Sequence, residues 1–319
     1  MDQELKKAVV VANFGGPRSL EEIEAFLITL LTDKDVIRTP LPNFIQDWFF
    51  RRVARKRAKS LAHDYALIGG KSPIYDDTEA VARLLECKCP VLTFHRYVPA
   101  THAQFIEQAK EFDEITVFSM FPQFSYATTG SIARWFGKYL PAKNIRWVKS
   151  YAIHPAFISC FHGQISRFLL DQRLEEEETL LFFSPHGLPR SFIDGYQGEC
   201  EKSFRLISSA FPKALSKLAY QSKFGRGEWL RPYTNEACEE ILSFSEGRKN
   251  IVFVPLSFTS DHIETLFEVE QLYLPIVRQK GLNAYRVPAF NRGETWIKAI
   301  QEILDSPKLY ANKELIRSH

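Results

Sequence analysis

Eight short runs rich in β-branched and aromatic residues recur along the chain, separated by stretches of helical pattern. They are KAVVVANF, CPVLTFHRY, EITVFSMF and NIRWVKSY in the first half, then TLLFFSP, KLAYQSKF, NIVFVPLSF and NAYRVPAF. Strands alternating with helices at this spacing build parallel sheets with crossover helices. Four strands per half predict an α/β chain of two Rossmann-like, doubly wound domains, each on a parallel four-stranded sheet, with an interdomain cleft between them. Residues 1–150 with the helical tail 294–319 form the expected first domain, and 151–293 the second. Each half opens alike, a strand running into a Gly/Pro turn, NFGGP at 13–17 and SPHGLP at 184–189, which hints at duplication.

The length of 319 residues and the apolar share of 45% suit two domains with a large core. Charge excludes one class of partner: 41 basic against 38 acidic residues, net +3, gives no ground for nucleic-acid binding. Cys87, Cys89, Cys160, Cys200 and Cys238 are odd in number and scattered, which reads as reduced thiols, and no paired CxxC clips for zinc exist. No run approaches the roughly 20 apolar residues of a membrane span. The start, MDQELKK, is charged rather than a signal sequence, so a cytoplasmic protein is expected.

Segment 36–59, VIRTPLPNFIQDWFFRRVARKRAK, is different in kind. Pro40 and Pro42 break the chain, and a helix then carries Phe44, Ile45, Trp48 and Phe49 beside Arg51, Arg52, Arg55, Lys56, Arg57 and Lys59. The pattern fits an interfacial helix at an anionic membrane surface, through residues 44–59, and equally an ordinary helix with a solvated basic face.

Chemistry concentrates at the carboxyl ends of strands, where ligands bind in such sheets. Phe14, Arg96, Tyr97, Phe121, His186, Gln221 and Glu264 all follow predicted strands. A lone histidine is more often a core or turn residue, but His186 stands in FSPHGLPR at a strand end, held by Gly187 and Pro189. About eighty residues on, TSDHIETLFE places Asp261, Glu264 and Glu268 on one face of the following helix. Asp261 with Glu264 also has the spacing of a capping box, yet Glu268 continues the stripe, which a cap does not explain. An imidazole facing carboxylates can hold a divalent cation and move protons. Arg96 with Tyr97 can grip a ligand carboxylate, or can form an ion pair at the surface. GGKS at 69–72 lacks the first glycine of a phosphate loop, and NFGGP is no dinucleotide fingerprint.

Taken together, NFGGP, VIRTP, IGGKSPI (68–74), FPQFSYATTGS (121–131), SPHGLP, YQSKFGRGEWLRPYT (220–234) and PLSFTSDHIETLFE (255–268) resemble the ferrochelatases of haem biosynthesis, in order over most of the chain. The resemblance implies a lyase with a two-lobed, chelatase-like fold that inserts ferrous iron into protoporphyrin IX, giving protohaem and two protons. Coproporphyrin III is the alternative substrate, and a non-catalytic porphyrin or haem carrier the alternative function. His186 and Glu264 match the family's iron-binding and proton-handling pair. Phe14, Arg96, Tyr97, Phe121, Asp261, His262 and Glu268 match porphyrin-binding or supporting positions, although phenylalanine at 14 cannot ligate iron. Leu272 stands where some relatives carry a further acid, Phe94 and His95 precede Arg96 where methionine is common, and SPHG replaces the commoner SAHG. Without the cysteine-rich carboxyl-terminal extension of animal members, no iron–sulfur cluster and no cofactor beyond the substrate iron is expected. A monomer in peripheral contact with a membrane at most is the expected state.

Overall fold

The computed structural model describes residues 5–39, 42–192, 195–225, 227–305 and 307–317. The first four residues of the charged start, Pro40 of the VIRTP motif and Arg226 of the YQSK motif therefore lie outside the described residues. The chain divides into two compact units, Met1–Ser150 with Ile300–His319, and Tyr151–Ala299. The second division falls inside the helix Glu294–Asp305, which the sequence pattern assigns whole to the first domain.

In chain order the described strands are β1 (Lys7–Asn13), β2 (Val91–His95), β3 (Glu114–Ser119), β4 (Asn144–Val148), β5 (Thr179–Phe183), β6 (Leu215–Leu218), β7 (Asn250–Val254), β8 (Asn283–Arg286) and β9 (Leu309–Ala311). The first sheet runs β2-β1-β3-β4-β9 and the second β6-β5-β7-β8. All pairs are parallel except β4 with β9. Every residue of β5 and β7 is buried, and so are the last six of β1. Central strands covered on both faces by helices lose the period of two, which is why these segments read as unbroken apolar runs.

Two expectations are corrected here. The first sheet has five strands rather than four, because the tail returns three residues, β9, antiparallel along β4. Trp147 anchors them through its indole N–H, 2.7 Å from Asn312 Oδ1. In the second sheet, regular pairing of β6 covers Leu215–Leu218 rather than running to Phe224. The partner strand meets Pro185, which has no N–H to donate, so the ladder lapses there. Gln221 N–H still reaches Pro185 O at 2.9 Å, and Gly187 N–H reaches Gln221 O at 2.8 Å.

Helix Ser131–Tyr139 shows how a core forms from spacing alone. Ile132, Ala133, Trp135 and Phe136 share one face and are buried. Phe136 meets Phe94 at 4.8 Å and Trp147 at 5.4 Å between ring centroids. In the second unit, Phe182 and Phe253 stack across neighbouring strands at 4.7 Å.

Both sheets repeat one order, with the first and third strands adjacent at the centre. Connections leave these two strands in opposite directions, which opens a crevice at their carboxyl ends. Phe14 follows β1 and Phe121 follows β3; His186 follows β5 and Glu264 follows β7. The predicted residues therefore stand at the two switch points.

Candidate active site

His186 is set by its backbone. It forms a bridge with Gln221, and Tyr196 donates its hydroxyl to the His186 carbonyl at 2.9 Å and contacts Ser257 Oγ at 3.0 Å. A Cβ on Gly187 would lie 2.9 Å from the Gln221 carbonyl oxygen, so only glycine lets the two segments approach this closely. The ring is fixed as well: Nδ1 bonds the carbonyl of Gly187, which makes Nδ1 the protonated nitrogen. In the neutral form of the ring Nε2 is then the bare nitrogen, and in the imidazolium it carries the second proton. It points to Glu264 Oε1 at 3.7 Å, and the two side chains are 31% and 29% exposed. Trp229 and Phe258 stand 6.5 and 6.4 Å from the imidazole, centroid to centroid.

Glu264 opens a π-helix, Glu264–Tyr273, closed by Leu274 N–H to Val269 O. Bonding from i to i+5 widens each turn, so side chains four and five apart come to one face, and such turns recur at functional sites. Glu264 meets His262 Nε2 at 3.5 Å, while His262 Nδ1 bonds Ser260 O at 3.0 Å. Burial opposes a charge on Glu264, but His186 and then His262 outweigh it and lower its pKa to about 2. His262 shows the reciprocal effect: burial pulls its pKa down, the bond and charge of Glu264 push it up more, and the net shift is upward. Gln221 Nε2 holds the Glu264 carbonyl at 3.0 Å, and Ser184 Oγ holds Gln221 Oε1 at 2.9 Å, tying this helix to the His186 turn.

Asp261 does not share the carboxylate face expected of it. Its oxygens take Arg286 Nη1 at 2.7 Å, Thr265 Oγ1 at 2.9 Å and Asn291 Nδ2 at 2.9 Å. Arg286 also bonds Glu270 at 2.8 Å, so it pins the chain both just before the π-helix and within it. The capping-box alternative fails too: Asp261 N–H goes to Asn291 Oδ1 at 2.7 Å, and Thr265 Oγ1 accepts from His262 N–H at 3.0 Å. Glu264 is thus left to the histidines. Glu268 accepts from Ser222 and Tyr273.

In the first unit, Phe14 packs on Phe121 at 4.5 Å and edge-on to Tyr97 at 4.9 Å. Gly15 follows at φ +69, where a Cβ would meet Val98 and His95 below 3 Å. Arg96 and Tyr97 differ from one expectation, a grip on a ligand carboxylate. Their polar ends converge on buried Asp33: Arg96 Nη2 at 2.6 Å, Tyr97 OH at 3.0 Å, with Ser131 Oγ at 2.5 Å. They brace the aromatic wall from behind, and their ion pair is buried rather than at the surface, where the alternative placed it.

Sequence pattern did not single out Asp33, Ser131, Tyr196, Ser222 or Tyr273. Ser222 and Ser131 had a signal, their places in YQSK and FPQFSYATTGS, whereas finding Tyr273 opposite Glu268 requires counting by five. Among the described residues, no group of three or more His, Cys, Asp and Glu side chains is arranged to hold a metal ion.

Two parallel-sheet α/β units of this strand order give a chelatase-like fold. The structure of SirB from Bacillus subtilis with Fe3+ shares this fold, with a TM-score of 0.55 at 12% identity, covering 94% of this chain and 95% of that one. The Ferrochelatase family model matches residues 6–307. Ferrochelatases of Chlamydia abortus (strain DSM 27085 / S26/3) and Chlamydia caviae (strain ATCC VR-813 / DSM 19441 / 03DC25 / GPIC) are each 43% identical to it. The alignments run over 316 and 318 residues, covering 97% and 98% of this chain and 98% and 99% of theirs. The chain belongs to the ferrochelatase family. It is a lyase of haem biosynthesis whose substrates are a porphyrin and ferrous iron.

Proposed function

We propose that the porphyrin is protoporphyrin IX, that His186 and Glu264 are the catalytic pair, and that both touch the iron. The observation that carries this is the 3.7 Å between His186 Nε2 and Glu264 Oε1. It is too long for a hydrogen bond. With metal bonds of about 2.0–2.2 Å to nitrogen and oxygen, a first-row divalent ion spans that gap at an angle of roughly 120°. Two protein donors hold iron loosely enough for the four porphyrin nitrogens to take it. Insertion also needs a base for the pyrrole protons, and an imidazole with a bare Nε2 suits that task. A flat apolar ligand finds a stacking surface on Phe14 and Phe121.

The test is anaerobic turnover of the purified protein with Fe(II) and either protoporphyrin IX or coproporphyrin III, read as loss of porphyrin fluorescence. Turnover on protoporphyrin that falls at least 10²-fold in His186→Ala and Glu264→Gln, a size typical of lost acid–base groups, supports the reading. Preference for coproporphyrin III overturns the substrate. Tight porphyrin binding without turnover makes the chain a carrier.

We also propose a cytoplasmic monomer that touches an anionic membrane through residues 44–59. In helix Asn43–Leu67 the apolar and basic groups are separated along the axis rather than between two faces. Phe44, Trp48 and Phe49 are 74%, 60% and 46% exposed, and Arg51, Arg52, Arg55 and Lys56 follow, also exposed. That arrangement suits aromatics entering a headgroup layer while the next turns meet lipid charge. No helix of the described residues is long and apolar enough to cross a membrane.

A further inference from the structure

Glu268 carries more donors than a carboxylate waiting for a cation would. Ser222 gives it both its hydroxyl, 2.5 Å to Oε2, and its backbone N–H, 2.9 Å to Oε1. Tyr273 adds its hydroxyl at Oε1. A carboxylate offers about four acceptor sites, and three are filled. The remaining one admits a proton or a single-point contact but not a metal ion held by both oxygens.

The scaffold is built around this arrangement. Ser222 donates from a left-handed backbone, φ +64, a conformation that costs a serine stability and persists where its surroundings impose it. Tyr273 lies five residues beyond Glu268 and reaches it because the helix is of the π type. Burial, reinforced by Glu268, pushes the Tyr273 hydroxyl well above its ordinary pKa, so it stays a donor. The next position of the stripe is Leu272, half exposed, so no further carboxylate extends it.

We infer that Ser222 and Tyr273 are positioning residues that lock Glu268 as the acceptor of a proton leaving the porphyrin and keep it from holding iron through both oxygens. The inference rests on the iron-insertion reaction assigned above. In that reaction each pyrrole N–H electron pair stays on nitrogen and becomes a bond to iron, which remains Fe(II). One of the two protons forms an O–H bond on Glu268 and passes from there to water.

The test is steady-state kinetics of the full chain, with thermal stability measured alongside, for wild type, Ser222→Gly, Tyr273→Phe, Glu268→Gln and the Glu268→Gln/Tyr273→Phe double variant. Glycine suits φ +64 and keeps the N–H, so Ser222→Gly should match or exceed wild-type stability and still lose kcat about tenfold, one hydrogen bond's worth. Tyr273→Phe should lose a similar factor. Glu268→Gln should lose about 10²-fold in kcat with KM for Fe(II) within about twofold. The double variant should be no slower than Glu268→Gln alone, because Tyr273 acts through that carboxylate. Multiplied losses in the double variant, or undiminished kcat in Ser222→Gly and Tyr273→Phe, would overturn the proposal while leaving iron insertion standing. So would a raised KM for Fe(II) with kcat retained in Glu268→Gln, which would make Glu268 an iron ligand. A wild type silent on both porphyrins overturns the insertion reading and this proposal with it.

Discussion

Tyr196 donates its hydroxyl to the carbonyl of His186 at 2.9 Å from a fully packed position on the helix Tyr196–Ser208. The His186 imidazole thus sits on a backbone held by a buried phenol. Tyr196→Phe removes the hydroxyl's bond to the part-buried His186 carbonyl and its contact with buried Ser257 Oγ, a loss of about 1–3 kcal/mol in stability. Chemical denaturation should show it together with a fall in kcat and an unchanged KM for porphyrin. A variant equal to wild type in both would deny the carbonyl bond any positioning role.

Gly187→Ala is expected to be worse for activity than for folding. The new Cβ must push the Gln221 carbonyl from 2.9 Å, breaking the Gly187 N–H bond to it and moving the ring that leans on the Gly187 carbonyl. Overpacking of this kind costs about 1–3 kcal/mol. Because small displacements of a catalytic group carry about a 10²-fold penalty, turnover should drop by that order while the circular dichroism spectrum stays native.

The pH dependence follows from opposite shifts in one pair. Glu264 has a pKa lowered from 4.5 to about 2, so the stability it contributes is full above 4.5 and is lost as pH falls toward about 2. His262 is raised above 6.5, so its contribution is full below 6.5 and is lost as pH rises through the raised value. Both act together between pH 4.5 and 6.5, and the Tm difference between wild type and Glu264→Gln should be largest in that window. A difference that stays flat from acid to alkaline pH would show that the carboxylate is not held by charge.

Asp33 answers to stability rather than to ligand binding. It sits under Arg96, Tyr97 and Ser131, and Asp33→Asn leaves the Arg96 guanidinium buried with its partner neutral. Breaking a buried pair in this way costs about 3–5 kcal/mol. Urea unfolding should reveal most of that loss. If Arg96→Met instead raised only the KM for porphyrin at unchanged stability, Arg96 would be a ligand grip after all.

Replacing Trp48, Phe49 and Phe50 with serine should abolish co-sedimentation with vesicles containing phosphatidylserine and leave turnover in solution intact. Undiminished co-sedimentation, or none in the wild type, would remove the helix from any membrane role.

Much of this protein was legible in order of residues. Parallel strands covered on both faces, such as β5 and β7, announce themselves as apolar runs, and ligand-handling residues collect just past their ends, so His186, Glu264, Phe14 and Phe121 could be named from pattern and resemblance. Strand β9 was not legible because three residues carry no period, and its pairing depends on Trp147 and Asn312, 165 positions apart. The capping spacing of Asp261 and Glu264 was legible but ambiguous, since a local rule cannot see Arg286 and Asn291 claiming the aspartate from another strand end. Likewise Arg96 and Tyr97 look like ligand grips until Asp33 is placed beneath them. By itself the sequence determined the alternation of strands and helices and the strand ends past which His186 and Glu264 lie. Only the tertiary structure decided which charges are spent on one another and which remain for a substrate, because that depends on partners brought near by folding rather than by sequence.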